Sequence, residues 1–422
     1  MNPEKFLDSL VNYEKISGYN YNLKNYKEFL INVGAPQKNL KNVLLIAGTK
    51  GKGSTAAILN SCLISHGYKV GLYASPHLEK INERIKVNNI NISSNNLTNY
   101  ISRIKPYIKR KRGVRTFFEV LTTIAFLHFL RERTNFSVLE VGLGGRLDAT
   151  NVTKPLLSVI TKIGYDHTDL LGKRLPLIAS EKAGIIKRGS KLVTIHQRPT
   201  VGNSLKRITR LRKSSIIFAE DKHTIKIIDK SLQGSELKIT GELGIFKAFL
   251  PLAGSHQVQN LLLALAVLSE LKQMGFSINA KAVRDGIQRT QLHGRFEVIS
   301  RKPLIVFDGA HNQDSFEALN KNLDLLETKN FSLIFGCKKS KDINYCLRTI
   351  FPKAKEVALV PINNPLGMEP GNIYKRAKKY QKNLTIAPSI QKAIQYLKGK
   401  ATNTSTILIT GSFYLWQKGW LI

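Results

Sequence analysis

The chain has 422 residues, enough for two domains and a sizeable core, and it has no run near the roughly 18 apolar residues of a membrane-spanning helix. Three scattered cysteines, Cys62, Cys337 and Cys346, exclude a disulfide framework and a zinc site and suit a reducing cytoplasm, and the N-terminus MNPEKFLDSL has no signal-peptide h-region. The formal charge of +36 invites a nucleic-acid reading, but the 65 Lys and Arg residues are spread along the chain rather than gathered in a tail; attraction for anionic small molecules is the expectation, with no nucleic-acid and no membrane partner.

Residues 1 to about 40 read as helical, with Gly34-Ala35-Pro36 breaking the chain before the unbroken apolar run Val43–Ala47, a strand buried on both faces. Gly48, Thr49, Gly51, Lys52, Gly53, Ser54 and Thr55 follow, then a helical pattern to His66 and a strand over 69–74. A glycine-rich turn between a strand and a helix N-terminus is a phosphate cradle. Backbone N–H groups converge there, the helix dipole favours negative charge, Lys52 can reach outer phosphates and a hydroxyl can hold magnesium. The pattern departs from GxxxxGK[ST], because Gly53 intervenes between Lys52 and Ser54. ATP binding is the expectation.

INERIKVNNINISSNN, residues 81–96, reads as a mobile loop or hairpin. Helices are expected over 97–108 and 117–131, the second apolar nearly all round and therefore buried. The run Lys105–Arg115 is the densest in positive charge and reads as a solvated loop. Strands over 137–141, 156–161 and 191–196 alternate with a helix near 176–185, which indicates a parallel sheet with helices on both faces. Each polar cluster lies just after a strand, at the carboxyl edge where such sheets bind ligands. Residues 214–250 alternate like an antiparallel patch, and a long helix spans 256–275. The organisation restarts near residue 295 with strands over 303–308, 332–336, 357–360 and 405–410, a smaller Rossmann-like C-terminal α/β domain. The expected domains are 1–294 and 295–422.

Glu140, ending an apolar strand at the same edge as the phosphate turn, is a natural magnesium ligand. Asp148 and Asn151 are substrate contacts or turn caps, and His167 is a metal or phosphate contact or a structural histidine. Lys182 follows Glu181, and its physical default is a salt bridge with that neighbour or a solvated position. His256, Gln257 and Asn260 share a helix face that can meet a nucleotide, Arg295 is a cation at the hinge that can swing onto phosphates, and Asp308 to Asn312 ends a buried strand and opens a helix.

The ordered set GTKGKGS, SPH, TFFE, EVGLGGRLDATN, DHTDLLG, EKAGI, HQVQN, HGRFE, DGAHN and GSFYL resembles the folylpolyglutamate synthase/dihydrofolate synthase family of the Mur ligase superfamily. The resemblance implies an ATP-dependent ligase that joins L-glutamate to dihydropteroate and to the γ-carboxyl of reduced folates through an acyl phosphate. It implies Lys52 and its glycines on the triphosphate, a first magnesium at Ser54, Ser75 and Glu140, and a second magnesium served by His167. Lys182 matches a lysine that is carbamylated, which would remove the objection to a cation near magnesium. Asn260, Arg295 and Asp308 match nucleotide contacts, and His311 and Ser412 match positions on the second domain's side of the site. Thr116, Phe118, Glu119, Asp148 and Ala149 match a dihydropteroate pocket, with Phe118 set to pack on the pterin. A monomer is the family expectation. Lys50 stands where the family's turn usually carries asparagine. The alternatives are a folylpolyglutamate synthase without dihydropteroate activity, another Mur-type amino-acid ligase, and a nucleic-acid-stimulated P-loop ATPase, against which the full motif order stands.

Overall fold

The computed structural model describes residues 3–12, 22–108, 115–326, 330–402 and 405–417; of the expected basic loop, residues 109–114 lie outside these. The chain forms two compact units, one of Met1–Lys226, Leu237–Phe249 and Gln257–Gln291, the other of Ile227–Glu236, Leu250–His256 and Leu292–Ile422. The inclusion of 227–236 and 250–256 in the second unit was not visible in the sequence pattern. Both segments are short, and Leu232 and Ala253 pack with the second unit's apolar core, beside Phe316, Leu319 and Phe335.

The first unit is built on an eight-stranded sheet. Its strands are β1 (Val43–Ala47), β2 (Val70–Tyr73), β3 (Ile85–Val87), β4 (Ile90–Asn91), β5 (Phe136–Glu140), β6 (Leu157–Ile160), β7 (Lys191–Thr194) and β8 (Ser215–Phe218), in the order β4-β3-β2-β5-β1-β6-β7-β8. β1 lies at the centre, parallel to β5 and β6, and every one of its residues is buried, as an uninterrupted apolar run requires. Residues 85–91 resolve the loop-or-hairpin alternative: β3 and β4 form an antiparallel hairpin that extends the sheet beyond β2. β8 corrects the reading of residue 214 onward as antiparallel, since Ser215–Phe218 pairs parallel with β7. A separate three-stranded sheet follows, β11-β10-β9, from β9 (His223–Ser231), β10 (Gly234–Gly241) and β11 (Gly244–Leu250).

Helix Lys52–Ser65 follows β1 and is buried over most of its length. It is braced by helix Ala280–Gln288, where a Cβ on Gly286 would fall 2.4 Å from the Cys62 Cα, so the two backbones touch. Helix Phe117–Arg131 is buried along most of its length, as its apolar character predicts.

The second unit carries a six-stranded sheet of β12 (Glu297–Arg301), β13 (Leu304–Asp308), β14 (Phe331–Phe335), β15 (Ala354–Leu359), β16 (Leu384–Ile386) and β17 (Thr406–Thr410), ordered β12-β13-β17-β14-β15-β16. All neighbours are parallel except β12, which pairs antiparallel with β13. Among the described residues no helix is long and apolar enough to cross a membrane.

Candidate active site

The carboxyl edge of the eight-stranded sheet gathers the first unit's chemistry. Gly51 caps helix Lys52–Ser65 with φ of +87°, a left-handed conformation that favours glycine. An added Cβ there would stand 2.0 Å from Asn260 Oδ1, and the Asn260 amide donates to Gln257 Oε1 at 2.9 Å. Asn260 is thereby placed against the phosphate turn by the buried Gln257. Within the turn, the Gly48 carbonyl accepts from two lysines, Lys52 Nζ at 3.3 Å and Lys182 Nζ at 2.9 Å.

The turn is fastened to the segment after β6. Thr49 and Lys50 N–H groups donate to the Lys162 carbonyl at 3.0 and 3.1 Å, Thr49 Oγ1 donates to the Gly164 carbonyl at 3.1 Å, and Lys50 Nζ lies 3.9 Å from Asp166 Oδ2. His167 comes next, with a left-handed φ of +48°, its side chain largely exposed and its Nε2 3.9 Å from Asp166 Oδ1. Lys50 thus ties the phosphate turn to the segment that carries His167.

Glu140, at the end of β5, is buried, accepts the Ser75 N–H at 3.2 Å through Oε2, and lies 3.5 Å from where a Gly53 Cβ would be. Its carboxylate therefore sits over the first helical turn, beside Ser75. Ser54 and Thr55 are buried in that turn, and the Thr55 hydroxyl has no hydrogen-bond partner. A buried carboxylate set over a helical turn that carries buried hydroxyls is the kind of hard-oxygen environment a magnesium ion takes, since that ion needs one or two carboxylates and completes its shell with water. Among the described residues no group of three or more His, Cys, Asp and Glu side chains stands ready as a metal cluster.

Lys182 is neither solvated nor paired with Glu181, which corrects the default reading. Glu181 pairs instead with Arg146, Nε to Oε1 at 2.9 Å, and the Arg146 N–H donates to the Glu181 carbonyl at 2.7 Å. Lys182 is buried, and its pKa falls to about 7: burial is the main cause, the Lys52 cation adds to it, and Asp166 partly opposes it. A glycine interlock makes this burial possible. A Cβ on Gly145 would lie 2.9 Å from the Lys182 Cα, and one on Gly184 would lie 2.3 Å from the Arg146 Cα.

Phe118 is half-buried, its ring 5.6 Å from that of Tyr73 at the end of β2 and pressed on Gly142, where a Cβ would approach the ring to 2.5 Å. The aromatic face therefore stands at the same sheet edge. Thr116 and Glu119 serve a reciprocal cap: the Glu119 N–H donates to Thr116 Oγ1 at 3.1 Å, and the Thr116 N–H to Glu119 Oε2 at 2.9 Å. Glu119 also pairs with the buried Arg115 at 3.3 Å. Asp148 adopts the turn-cap alternative, accepting from the N–H groups of Leu143 at 3.0 Å and Thr150 at 2.9 Å, and burial raises its pKa. Ala149 is buried in the 3-10 turn that Asp148 caps.

In the second unit, Asp308 at the end of β13 accepts from the Phe296 and Ala310 N–H groups at 2.9 and 2.8 Å. Burial lifts its carboxyl to about 6, against the opposing pull of Arg295. Arg295 stacks over the Phe413 ring at 4.6 Å, and the His311 ring lies 6.0 Å from the same ring, with Nδ1 2.8 Å from the Gly309 carbonyl. Ser412 is buried and accepts the Tyr414 N–H at 3.3 Å. The four expected residues of this unit thus cluster at the carboxyl ends of β13 and β17. Arg146, Gln257 and Phe413 were not singled out for these packing roles; Gln257 alone carried a signal, three residues before Asn260 on one helix face.

Comparisons with known proteins follow this geometry. The family model of the Mur ligase middle domain matches residues 46–268, and that of the Mur ligase glutamate ligase domain matches residues 294–413. The dihydrofolate synthase/folylpolyglutamate synthase of Bacillus subtilis (strain 168) is 31% identical over 396 residues, 92% of this chain and 91% of that protein. The Mycobacterium tuberculosis folylpolyglutamate synthase solved with ADP and AMPPCP is similar with a TM-score of 0.87 and 27% identity, over 98% of this chain and 95% of that one. Escherichia coli FolC in complex with DHPP and ADP is similar with a TM-score of 0.85 and 28% identity, over 98% and 96%.

Proposed function

The chain belongs to the Mur ligase family, among the dihydrofolate synthases/folylpolyglutamate synthases, and from that premise we propose how its residues carry out ATP-dependent glutamate ligation. The enzyme transfers the γ-phosphoryl group of ATP to a carboxylate, giving an acyl phosphate and ADP. The amino group of L-glutamate then attacks the acyl carbon, the amide forms, phosphate leaves and the nitrogen loses a proton. Its acceptors are dihydropteroate and the γ-carboxyl of reduced folates.

One observation carries the residue assignment: two lysines from different elements, Lys52 and Lys182, meet on the Gly48 carbonyl at the mouth of a helix N-terminus. Phosphoryl transfer asks for positioning and charge neutralisation rather than a protein nucleophile; Lys52 supplies the positive charge, and Lys182 helps to fix the turn. Lys52 and the N–H groups of Gly51, Gly53 and Ser54 hold the phosphates, while Gly48, Thr49 and Thr55 shape the turn around them, the Thr49 and Thr55 N–H groups being engaged by the Lys162 and Gly51 carbonyls. Ser54, Ser75 and Glu140 hold one magnesium ion, and His167 serves a second; bound there, magnesium neutralises charge on the phosphate oxygens. Asn260 in the first unit is a nucleotide contact, and in the second unit Arg295 and Asp308 are nucleotide-contact positions that cluster with His311 and Ser412 at the carboxyl ends of β13 and β17. Phe118 offers its face to the pterin, with Thr116, Glu119, Asp148 and Ala149 shaping the backbone around it rather than bonding substrate through free side chains. Lys182, with its pKa near neutrality, is the carbamylated lysine: the neutral amine adds to CO2, an N–C bond forms, and a proton leaves to water. The protein works as a monomer in the cytoplasm, without nucleic acid or membrane.

The test is ADP release by the purified protein with Mg-ATP and L-glutamate, with dihydropteroate or tetrahydrofolate as acceptor. Turnover with both is expected. Turnover with tetrahydrofolate alone removes the dihydropteroate activity, and silence with both overturns the acceptor assignment.

A further inference from the structure

The turn that follows Lys182 is held in an unusual way. Helix Leu175–Ala183 is short, and Lys182 lies in its last turn, where carbonyls lack helical partners. Beyond it, three consecutive carbonyls accept from side chains of three separate elements. The Gly184 carbonyl accepts from Asn151 Nδ2 at 3.2 Å and from Arg212 at 3.3 Å, the Ile185 carbonyl from Ser158 Oγ at 3.1 Å, and the Ile186 carbonyl from Arg212. Lys187 completes the arrangement. Its Nζ donates to the Asn151 side-chain oxygen at 2.6 Å and to the Asn151 carbonyl at 2.8 Å. This orients the Asn151 amide, whose nitrogen then faces the carbonyls of Gly184 and Arg146.

We infer that Lys187 and Arg212 are positioning residues for the Lys182 amine, fixing the turn after its helix so that the amine is delivered to the Gly48 carbonyl. The geometry makes the dependence specific. On one side the Lys182 backbone is pressed against Gly145, which admits no sideways shift without collision. On the other, Arg212 holds the carbonyls just past the helix end directly and Lys187 does so through Asn151, whose amide bonds the Gly184 carbonyl, at an end where the helix dipole favours positive charge. A slip of a few tenths of an ångström at Gly184 moves the amine relative to the phosphate turn, and positioned groups are sensitive to such slips. Neither cation needs to touch substrate for this. The inference rests on the role proposed above for Lys182, and it adds residues to which no role was given there.

The experiment uses the full chain with Lys187→Met and Arg212→Gln, and Lys187→Arg as the conservative variant that keeps both donors to Asn151. Carbamate on Lys182 is read by carbon-13 NMR during titration with labelled bicarbonate. The two disruptive variants are expected to need about tenfold more bicarbonate for half-occupancy. Their kcat should fall and recover with added bicarbonate while KM for ATP stays unchanged, and Lys187→Arg should behave as wild type. Equal half-occupancy in all proteins overturns the inference. If wild type carries no carbamate, the proposed modification fails, and the positioning role is decided by amide exchange over residues 182–186 and the pH profile of Lys182 alkylation. Faster exchange and an altered profile in Lys187→Met, reversed in Lys187→Arg, uphold it; unchanged values overturn it.

Discussion

Replacing Gly51 by alanine tests the turn at its tightest point. The residue has φ of +87°, and its new Cβ would stand 2.0 Å from Asn260 Oδ1 and 2.8 Å from Cγ. The left-handed conformation alone costs an alanine about 1–2 kcal/mol. Relief of the clash requires Asn260 to swing away from Gln257, which breaks a buried hydrogen bond of 2.9 Å and costs about 1–3 kcal/mol more. The sum is about 2–5 kcal/mol, enough to lower the melting temperature by about 3–9 °C for a unit of this size. The assay is a double-mutant cycle by thermal or chemical unfolding, with Gly51→Ala, Asn260→Ala and the pair. Because the clash vanishes once Asn260 is truncated, the pair should be less damaged than the sum by about 1–3 kcal/mol. Strict additivity would refute the reasoning, as would a Gly51→Ala protein that melts with wild type.

Lys182→Met should remove a pH dependence. Burial lowers the Lys182 pKa from 10.5 to about 7, so between these values the unfolded chain binds a proton that the folded chain does not. Stability on this account rises with pH from about 7 to 10, by on the order of 1 kcal/mol per pH unit; denaturant titrations in CO2-free buffer should show that slope in wild type and not in the variant. Asp308 runs the other way: its carboxyl is raised from 3.8 to about 6, so stability falls as pH climbs through that window, and Asp308→Asn should flatten the fall while losing about 1–3 kcal/mol from its two backbone N–H bonds. Glu140→Gln should weaken magnesium-dependent ADP binding by at least about tenfold in calorimetry, while binding without the metal changes little. Phe118→Ala should raise KM for dihydropteroate about tenfold and leave KM for ATP unchanged, since the ring packs on Tyr73 and Gly142 and not on the phosphate turn.

The central strands were legible because burial on both faces writes itself as an unbroken apolar run. Val43–Ala47, Phe136–Glu140 and Leu157–Ile160 all fall within one or two residues of their expected places. β8, β12 and β16 were not, for the converse reason: each lies at or beside a sheet edge and exposes part of its length, so its pattern is mixed. Residues at strand ends were legible as polar interruptions, which is how Glu140 and Asp308 were singled out, and the turn after β1 was marked by its glycines between a strand and a helix. Lys182 was misjudged from its neighbour Glu181, because partners in a helix are not chosen by adjacency and Arg146, 35 residues earlier, took the carboxylate. The anchors at Asn151, Lys187 and Arg212 are bonds between side chains and carbonyls of distant segments, and no periodicity records such bonds.

The reciprocal contact between Gly145 and Lys182, and between Gly184 and Arg146, has a consequence for exchanging parts with relatives. Residues 142–146 and 175–184 are separated in sequence, yet each is the mould for the other's backbone. A chimaera whose junction falls between them, anywhere over 147–174, would join a loop from one parent to a helix from another. A single methyl of mismatch would be met there by backbone, which has nowhere to go. A junction before 142 or after 187 keeps the pair intact. These two stretches are inherited as one part.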